Sequence, residues 1–346
     1  MARTASSKPA AGKKLTVTEI ARLAGTSQPT VSKVINGRAD VSEETRRRVQ
    51  AVLDQVGFSK PLVSTKVSSQ IELVVRTFEM NGSFPLLQGL LKWARGESLG
   101  VSVTELSQTA TEAREAINHV IDANPYGVAL LMSAADERDR KALRSRSIPY
   151  VVIDPVSDAS AGDLSVSIDN WTGGLLAARH LTGLGHRRIA LIAGPDGSIS
   201  SAARVAGFEQ GLREAGLAIP DAYRERGDYD AVAGYEAAAR MLDLHEPPTA
   251  LFALNDIMAV GAYKAAAERG VRIPDDLSVV GFDDIFPAEY LGPALTTIRQ
   301  PFNDMARKAV DMIVRSRKGN LEDRSVVLPV GLVTRQSTAK PAGAQH

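Results

Sequence analysis

Residues 16–58 read "TVTEIARLAGTSQPTVSKVINGRADVSEETRRRVQAVLDQVGF", and the punctuation of this stretch decides the fold of the N-terminal part. Thr16 with Glu19 three residues on is a capping box, which predicts a helix from Val17 to about Ala24. Its inward positions are Ile20, Ala21 and either Leu23 or Ala24. Gly25 stops it, since glycine adopts the left-handed cap most easily. Ser27 caps a second helix, and Pro29 is tolerated there because the first turn has no amide partners to lose. That helix ends at Asn36-Gly37. Ser42 caps a third, Glu43 to about Val56, with Val49, Leu53 and Val56 inward and Gly57 closing it.

Two short helices joined by a glycine-containing turn form a helix-turn-helix. On the middle helix Val31, Val34 and Ile35 face inward, while Gln28, Thr30, Ser32 and Lys33 share the outer face. A solvated helix more commonly carries Glu and Lys at such positions; amides, hydroxyls and a lysine suit base edges and phosphates in a major groove. The charge agrees: residues 1–60 hold eleven Lys or Arg against five Asp or Glu, in a chain whose total is +1. A basic head on an acidic body points to a polyanionic partner.

The segment resembles the DNA-binding head of the LacI/GalR family of bacterial regulators. The residues that carry the likeness are Thr16 or Thr18, Ala21, Ala24-Gly25, Ser27, Thr30-Val31-Ser32-Lys33, Asn36 and the run "VSEETRRRV". The resemblance implies that Gln28, Pro29 and Lys33 read bases. Gln suits adenine, Lys suits guanine, and Pro29 offers apolar contact to a thymine methyl. It implies that Thr16, Ser27, Thr30, Ser32 and Asn36 hold phosphates. One head covers a half-site, so a homodimer on a palindromic double-stranded operator is expected. The linker departs from the family pattern: "FSKPLVSTKVSSQ" lacks the usual Asn and Ala-Arg pair. Leu62 or Val63 as a minor-groove wedge and a Ser-rich flexible tether are both open readings.

Working outward, a chain of 346 residues accommodates two or three domains. The absence of cysteine excludes disulfides and thiolate chemistry. No apolar run is long enough to span a bilayer, and the N-terminus has no apolar signal core; a cytoplasmic protein is expected. From Ile71, apolar runs ("IELVVRT", "VSVTEL", "GVALLM", "YVVID", "RIALIAG", "TALFAL", "LSVVGFD") alternate with seven helical stretches. Continuous apolar strands separated by helices imply parallel sheets covered on both faces. So many units predict a small all-α helix-turn-helix head followed by α/β, in two doubly wound parallel-sheet lobes. The expected organisation is a basic disordered tail 1–15, a head 16–58, a linker 59–70, a two-lobed body 71–335 and a disordered tail 336–346.

Ligands of such sheets lie beyond the carboxyl ends of the strands, and polar residues fall there. Asp154 follows "YVVI", Asn255-Asp256 follow "LFAL", Asp283-Asp284 follow "VVGF", and Arg204 follows the loop "AGPDGSISS" at the opening of a helix. No Walker-type run occurs. The runs "SAARVAGFEQGL", "PTALFALNDIMAVGA", "IPDDLSVVGFDD" and "LTTIRQPF" also resemble the family's effector-binding body, which is similar to type I periplasmic sugar-binding proteins. By that resemblance Arg204, Asn255 and Asp283 hold ligand hydroxyls, Asp154 and Gln300 serve the other face, and Tyr229 packs on a sugar ring. Ser83 and Phe84 are wall residues on the first lobe, where "NGSFPLLQG" departs from the family pattern. Trp171 reads as helix packing rather than as a stacking platform. His186 reads as a loop residue capping a helix end. Asp283-Asp284 could suggest an acid–base pair, but neighbours on a strand end point to opposite sides. No metal-ligand spacing or catalytic constellation is evident, and no cofactor is expected. The resulting expectation is a repressor of carbohydrate-uptake or carbohydrate-utilisation genes, released by a small sugar between the lobes. The alternatives are a co-repressor-type regulator answering a non-sugar metabolite such as a purine, and, in another class, a solute-binding protein.

Overall fold

A computed structural model describes residues 16–35, 41–56, 67–78, 82–107, 109–131, 136–154, 163–320 and 323–342. The chain divides into two compact units. One holds the residues up to 66 with Arg140–Ser147, and the other holds Val67–Asp139 and the residues from 148 onward. The expected tail 1–15, Asn36, the last two residues of the expected head (57–58) and residues 59–66 of the linker, with Leu62, lie outside the described residues.

The head is three helices, α1 (Val17–Leu23), α2 (Gln28–Ile35) and α3 (Glu43–Val56). Thr16 caps α1 by the expected reciprocal box: its hydroxyl accepts from the Glu19 amide, and its own amide donates to the Glu19 carboxylate at 2.7 Å. Gly25 sits at φ +60°, the left-handed geometry that lets the chain reverse within a few residues. Ile20, Ala21, Ala24, Val31, Val34, Val49 and Leu53 form the core. Of the two inward candidates at the end of α1, Ala24 is the buried one and Leu23 is exposed.

The body has two six-stranded sheets. The first lobe contains β1 (Gln70–Val75), β2 (Gly100–Glu105), β3 (Gly127–Leu131), β4 (Tyr150–Ile153), β5 (Leu164–Ile168) and, late in the chain, β11 (Ser325–Leu328), in the order β2-β1-β3-β4-β5-β11. All neighbours run parallel. The second lobe contains β6 (Ile189–Ala193), β7 (Arg224–Arg226), β8 (Ala250–Ala253), β9 (Ser278–Asp283), β10 (Thr296–Arg299) and β12 (Gly331–Val333), in the order β7-β6-β8-β9-β10-β12. Only β12 is antiparallel to its neighbour. The central strands β3, β4 and β8 are buried along their whole length, which is why they read as unbroken apolar runs.

The helices between them are α4 (Ser83–Gly96), α5 (Ala110–Asp122), α6 (Glu137–Ser145), α7 (Asn170–Gly183), α8 (Ile199–Glu214), α9 (Ala231–Leu242), α10 (Asp256–Glu268) and α11 (Phe302–Lys318). The chain passes between the lobes three times. It goes from β5 into α7 of the second lobe, from β10 through Gln300-Pro301 into α11, which packs on α4 and β3–β5 of the first, and from β11 to β12. The segments missing from the strand and helix reading above are those nearest these passages: β5, β10, β11, β12 and α11, with the short edge strand β7.

Two expectations are corrected in the second lobe. Residues 336–342, expected as part of a disordered tail, are laid along the sheet as far as Ala339. Ser337 is fully buried, its hydroxyl donating to the Val279 carbonyl at 2.6 Å and accepting from the Thr296 amide at 2.7 Å. His186, expected as a helix-capping loop residue, is buried beneath this segment, within 3.0 Å of the Thr249 and Ser278 hydroxyls and 2.9 Å of the Ala339 carbonyl. Burial pushes its imidazole below the ordinary range, as expected for a neutral ring satisfied by uncharged partners.

Candidate nucleic-acid interface and ligand cleft

The exposed face of α2 is built by default. Val31 and Val34 turn into the head core, so a 100° step per residue leaves Gln28, Pro29, Ser32 and Lys33 outward, and all four are exposed. Ser27 and Thr30 are joined hydroxyl to hydroxyl at 2.8 Å, and the Thr30 amide donates to Ser27 as the helix cap. Gln28 is not loose: its side-chain amide donates to the Thr18 hydroxyl at 2.7 Å. Thr18 therefore orients Gln28, a contact the sequence pattern had no means of pairing across ten positions. Thr16 is exposed at the foot of α1, with its hydroxyl engaged by Glu19.

The candidate ligand cleft lies where the carboxyl ends of β3, β4, β8 and β9 meet α4, α8 and the start of α11. It encloses about 550 Å³ including its open mouth and is lined by Asp154, Arg204, Tyr229, Asn255, Asp283 and Gln300 among its polar groups. All six were named from the sequence. Ser83 and Phe84 do not line it; Gly82 and Leu86 do. The cause is helical phase: Gly82 and Leu86 are four residues apart and share a face of α4, while Ser83 and Phe84 are turned about 100° and 200° away. Ser83 is buried and Phe84 is exposed to solvent. Leu131, Ile153, Ser200, Phe302 and Met305 complete the wall. Leu131 and Ile153 are the last residues of β3 and β4, so the strand-end rule that located Asp154 also points to them.

Arg204 is the centre of the polar set. It sits on the second turn of α8, which begins three residues earlier than the sequence suggested. Its Nε donates to Asn170 Oδ1 at 2.7 Å and its Nη1 to the Leu254 carbonyl at 2.6 Å. Nη1 stands 3.6 Å from the Asp283 carboxylate, and the guanidinium lies 3.6 Å over the Phe282 ring. Cation–π contact and two neutral acceptors fix the orientation of the fork. Asn170 was missed; its only sequence signal is its place one residue after the α7 cap Asp169.

Asp283 ends β9 at φ +119°, followed by Asp284 at φ +58°. Asp256, fully buried, holds this turn: it accepts from the Ile285 amide at 2.9 Å and from the Thr297 hydroxyl at 2.6 Å. The two neighbouring carboxylates diverge, as expected. Asp283 enters the cleft and accepts from the Gln300 side chain, while Asp284 pairs outward with Arg299 and Arg335. Burial raises the Asp283 carboxyl to about 6, with Arg204 and Gln300 pulling it down and Asp154 pushing it up. Asp154, at φ +48°, is raised by burial, with Arg204 and Asn170 opposing. Burial and the nearby Asp283 push Asp256 well above the carboxylate range. Asn255 lines the cleft with its amide engaged: Oδ1 caps α10 through the Met258 amide and Nδ2 donates to the Tyr229 carbonyl. Tyr229 rests on Gly194 with its hydroxyl 3.4 Å from Ser198. Trp171 is exposed on α7 and is not part of the wall. Among the described residues no group of three His, Asp or Glu is placed to hold a metal ion. No helix among them is long and apolar enough to cross a membrane.

Comparison with known proteins covers both parts. Residues 16–61 match the bacterial regulatory proteins of the lacI family, and residues 178–338 match a periplasmic binding protein-like domain. The chain is 32% identical to the HTH-type transcriptional regulator DegA of Bacillus subtilis, over 94% of this chain and 98% of that protein. It is 33% identical to the HTH-type transcriptional repressor PurR of Klebsiella pneumoniae, over 94% and 97%. It is 31% identical to the lactose operon repressor of Escherichia coli, over 95% and 92%. Among solved structures it is similar to the transcriptional regulator CelR in complex with cellobiose, with a TM-score of 0.72, 28% identity and coverage of 94% and 100%. It is also similar to the lac repressor dimer bound to operator and an anti-inducer, with a TM-score of 0.69, 28% identity and the same coverage.

Proposed function

Since the chain belongs to the lacI family of bacterial regulatory proteins, we propose that it is a transcriptional repressor that binds a palindromic operator as a dimer and is released from it by a small sugar held in the cleft. What carries the reading is the joining, in one chain, of a helix-turn-helix with a polar outward recognition face to a cleft whose polar groups converge at strand ends. Gln28 and Lys33 supply base-edge contacts and Pro29 an apolar one. Thr16, Ser27, Thr30, Ser32 and Asn36 position the backbone. The target genes serve carbohydrate uptake or use. Sugar is favoured because two carboxylates, an arginine fork and a tyrosine face are the groups that hydroxyls and a saccharide's C–H face need. The alternative, a co-repressor-type regulator answering a non-sugar metabolite such as a purine, draws on the likeness to the repressor PurR, at 33% identity against 31% for the lactose operon repressor.

The test is selection of bound duplexes from a random-sequence pool by the full chain, followed by affinity measurement on the selected site. A two-fold symmetric site is expected, with Gln28→Ala losing about 1–3 kcal/mol and relaxing preference at one base pair of each half. No enrichment would overturn the reading in favour of a solute-binding protein, and equal enrichment by the chain lacking residues 1–60 would overturn the assignment of DNA recognition to the head.

A further inference from the structure

The first residue of the recognition helix is tied to a residue of the helix before it. Ile20, Ala21 and Ala24 turn into the head core, with Val17 packed against them. Thr18 is therefore turned about 100° round α1 from Val17, away from that core. Its hydroxyl accepts one hydrogen of the Gln28 side-chain amide at 2.7 Å. Among the described residues this is the one hydrogen bond that the Gln28 amide makes, and its carbonyl oxygen is left to face outward. Both side chains are exposed, so the pair is open to a duplex laid against α2. Threonine is stiff at χ1, and an amide held by it is oriented before any DNA arrives, which lowers the cost of ordering it on binding.

The count of donors decides what such an amide can read. A free glutamine amide carries two N–H donors and one carbonyl acceptor. In the major groove adenine presents an acceptor, N7, beside a donor, the N6 amine, whereas guanine presents two acceptors, N7 and O6. An unattached amide can meet either base: one N–H and the carbonyl on adenine, or both N–H groups on guanine. Thr18 takes one N–H out of the count. What remains is one donor beside one acceptor, which is the complement of adenine. We propose that Thr18, on α1 and outside the recognition helix, sets base specificity by positioning Gln28: it occupies one hydrogen of the amide and so confines that side chain to adenine and excludes guanine. The inference rests on the reading of the outward face of α2 as the base-reading surface. An amide that let go of Thr18 to address guanine would give up one hydrogen bond to gain one, so guanine cannot recover the difference. A good bidentate contact separates its base from the wrong one by about ten- to a hundredfold in affinity.

Affinity measurements with the full chain at fixed salt, on the duplex selected from the random pool, test this. At the base pair whose preference Gln28→Ala relaxes, a set of duplexes carries adenine, guanine, cytosine or thymine on the contacted strand. Wild type is expected to favour adenine over guanine by about tenfold or more. Thr18→Val keeps the shape and removes the hydroxyl; it is expected to cut that ratio to about threefold or less, chiefly through tighter binding of the guanine duplex. Thr18→Ser keeps the hydroxyl and should keep the wild-type ratio. In the Gln28→Ala background Thr18→Val should change no ratio, which places the effect in the pair. A hydroxyl that merely packs the head or touches a phosphate would lower every affinity alike and leave the ratio intact; that result overturns the proposal, and so does a wild-type preference for guanine. Equal affinity of wild type and Thr18→Val for a non-specific duplex, with the same salt dependence, shows that the variant head is folded. If Gln28→Ala relaxes no base pair, the base-reading assignment of α2 falls and this inference falls with it. If it relaxes one and Thr18→Val leaves the ratio unchanged, the inference falls alone.

Discussion

Asp283 gathers more constraint than any other residue of the cleft. It stands at φ +119°, outside the regions a side chain prefers. It is held there by Asp256 through the Ile285 amide; such strain persists only where the surroundings over-determine it. Its carboxyl is raised from an ordinary 3.8 to about 6 by burial, modulated by Arg204, Gln300 and Asp154. A raised carboxyl contributes stability that is fully present below its ordinary value and is lost as pH climbs towards 6. Effector binding carries the opposite sign, because hydroxyls donating to the carboxylate favour the ionised form. Affinity should be level from pH 8 to about 6.5 and then fall, by up to tenfold per unit, towards pH 5. Asp283→Asn should bind more weakly and flatten the profile, a pair of results that titration across pH checks; a flat wild-type profile would contradict the assignment. At this scale the sequence was informative where chemistry sits at strand ends: Asp154, Asn255 and Asp283 follow apolar runs directly. It was silent about Asn170 and Thr18, whose partners Arg204 and Gln28 lie 34 and 10 positions away. It misplaced Ser83 and Phe84 because a one-residue error in helix phase turns a side chain through about 100°.

Among the elements, the crossing of α7 and α8 matters most for the cleft, since α8 carries Arg204 and α7 carries its partner Asn170. The two helices touch backbone to backbone. A Cβ built on Gly174 would lie 1.9 Å from the Arg204 carbonyl, and one on Gly207 would lie 1.9 Å from the Trp171 carbonyl. Gly174→Ala must push the helices apart, and overpacking of this kind costs about 1–3 kcal/mol. Effector affinity should drop with it, because the displaced backbone belongs to Arg204. Gly183, at the end of the same helix with nothing within 4 Å of its Cβ position, is the control. Gly183→Ala should be neutral or stabilise by up to about 1 kcal/mol. Equal unfolding midpoints for the two variants would refute the close-approach account. The elements that composition reveals are those whose apolar run is continuous, such as β3 and β4. Strands β5 "LSVSI" and β11 "SVVL" are interrupted or opened by serine, so they carry no comparable run. Helix α11 did carry a signal, with Met305, Ala309 and Met312-Ile313 at helical spacing and buried. The segment 336–342 carried none, because what orders it is Ser337 seated between Val279 and Thr296, a long-range fit rather than a local preference.

On the scale of the whole molecule, the family assignment joins a DNA-binding head to an effector cleft, and the central claim is that occupancy of the cleft changes the affinity of the head. Coupling between two sites is a free energy, and a change of about a hundredfold corresponds to about 3 kcal/mol, within the usual range for allosteric proteins. The most direct measurement is the affinity of the full-length protein for its selected operator, by fluorescence anisotropy at fixed salt, with and without a saturating neutral sugar that binds the cleft. Affinity is expected to fall about a hundredfold with the sugar in wild type and to be unchanged by it in Arg204→Ala. Identical affinity with and without the sugar in wild type would contradict the account, and tighter binding in its presence would reverse the proposed switch.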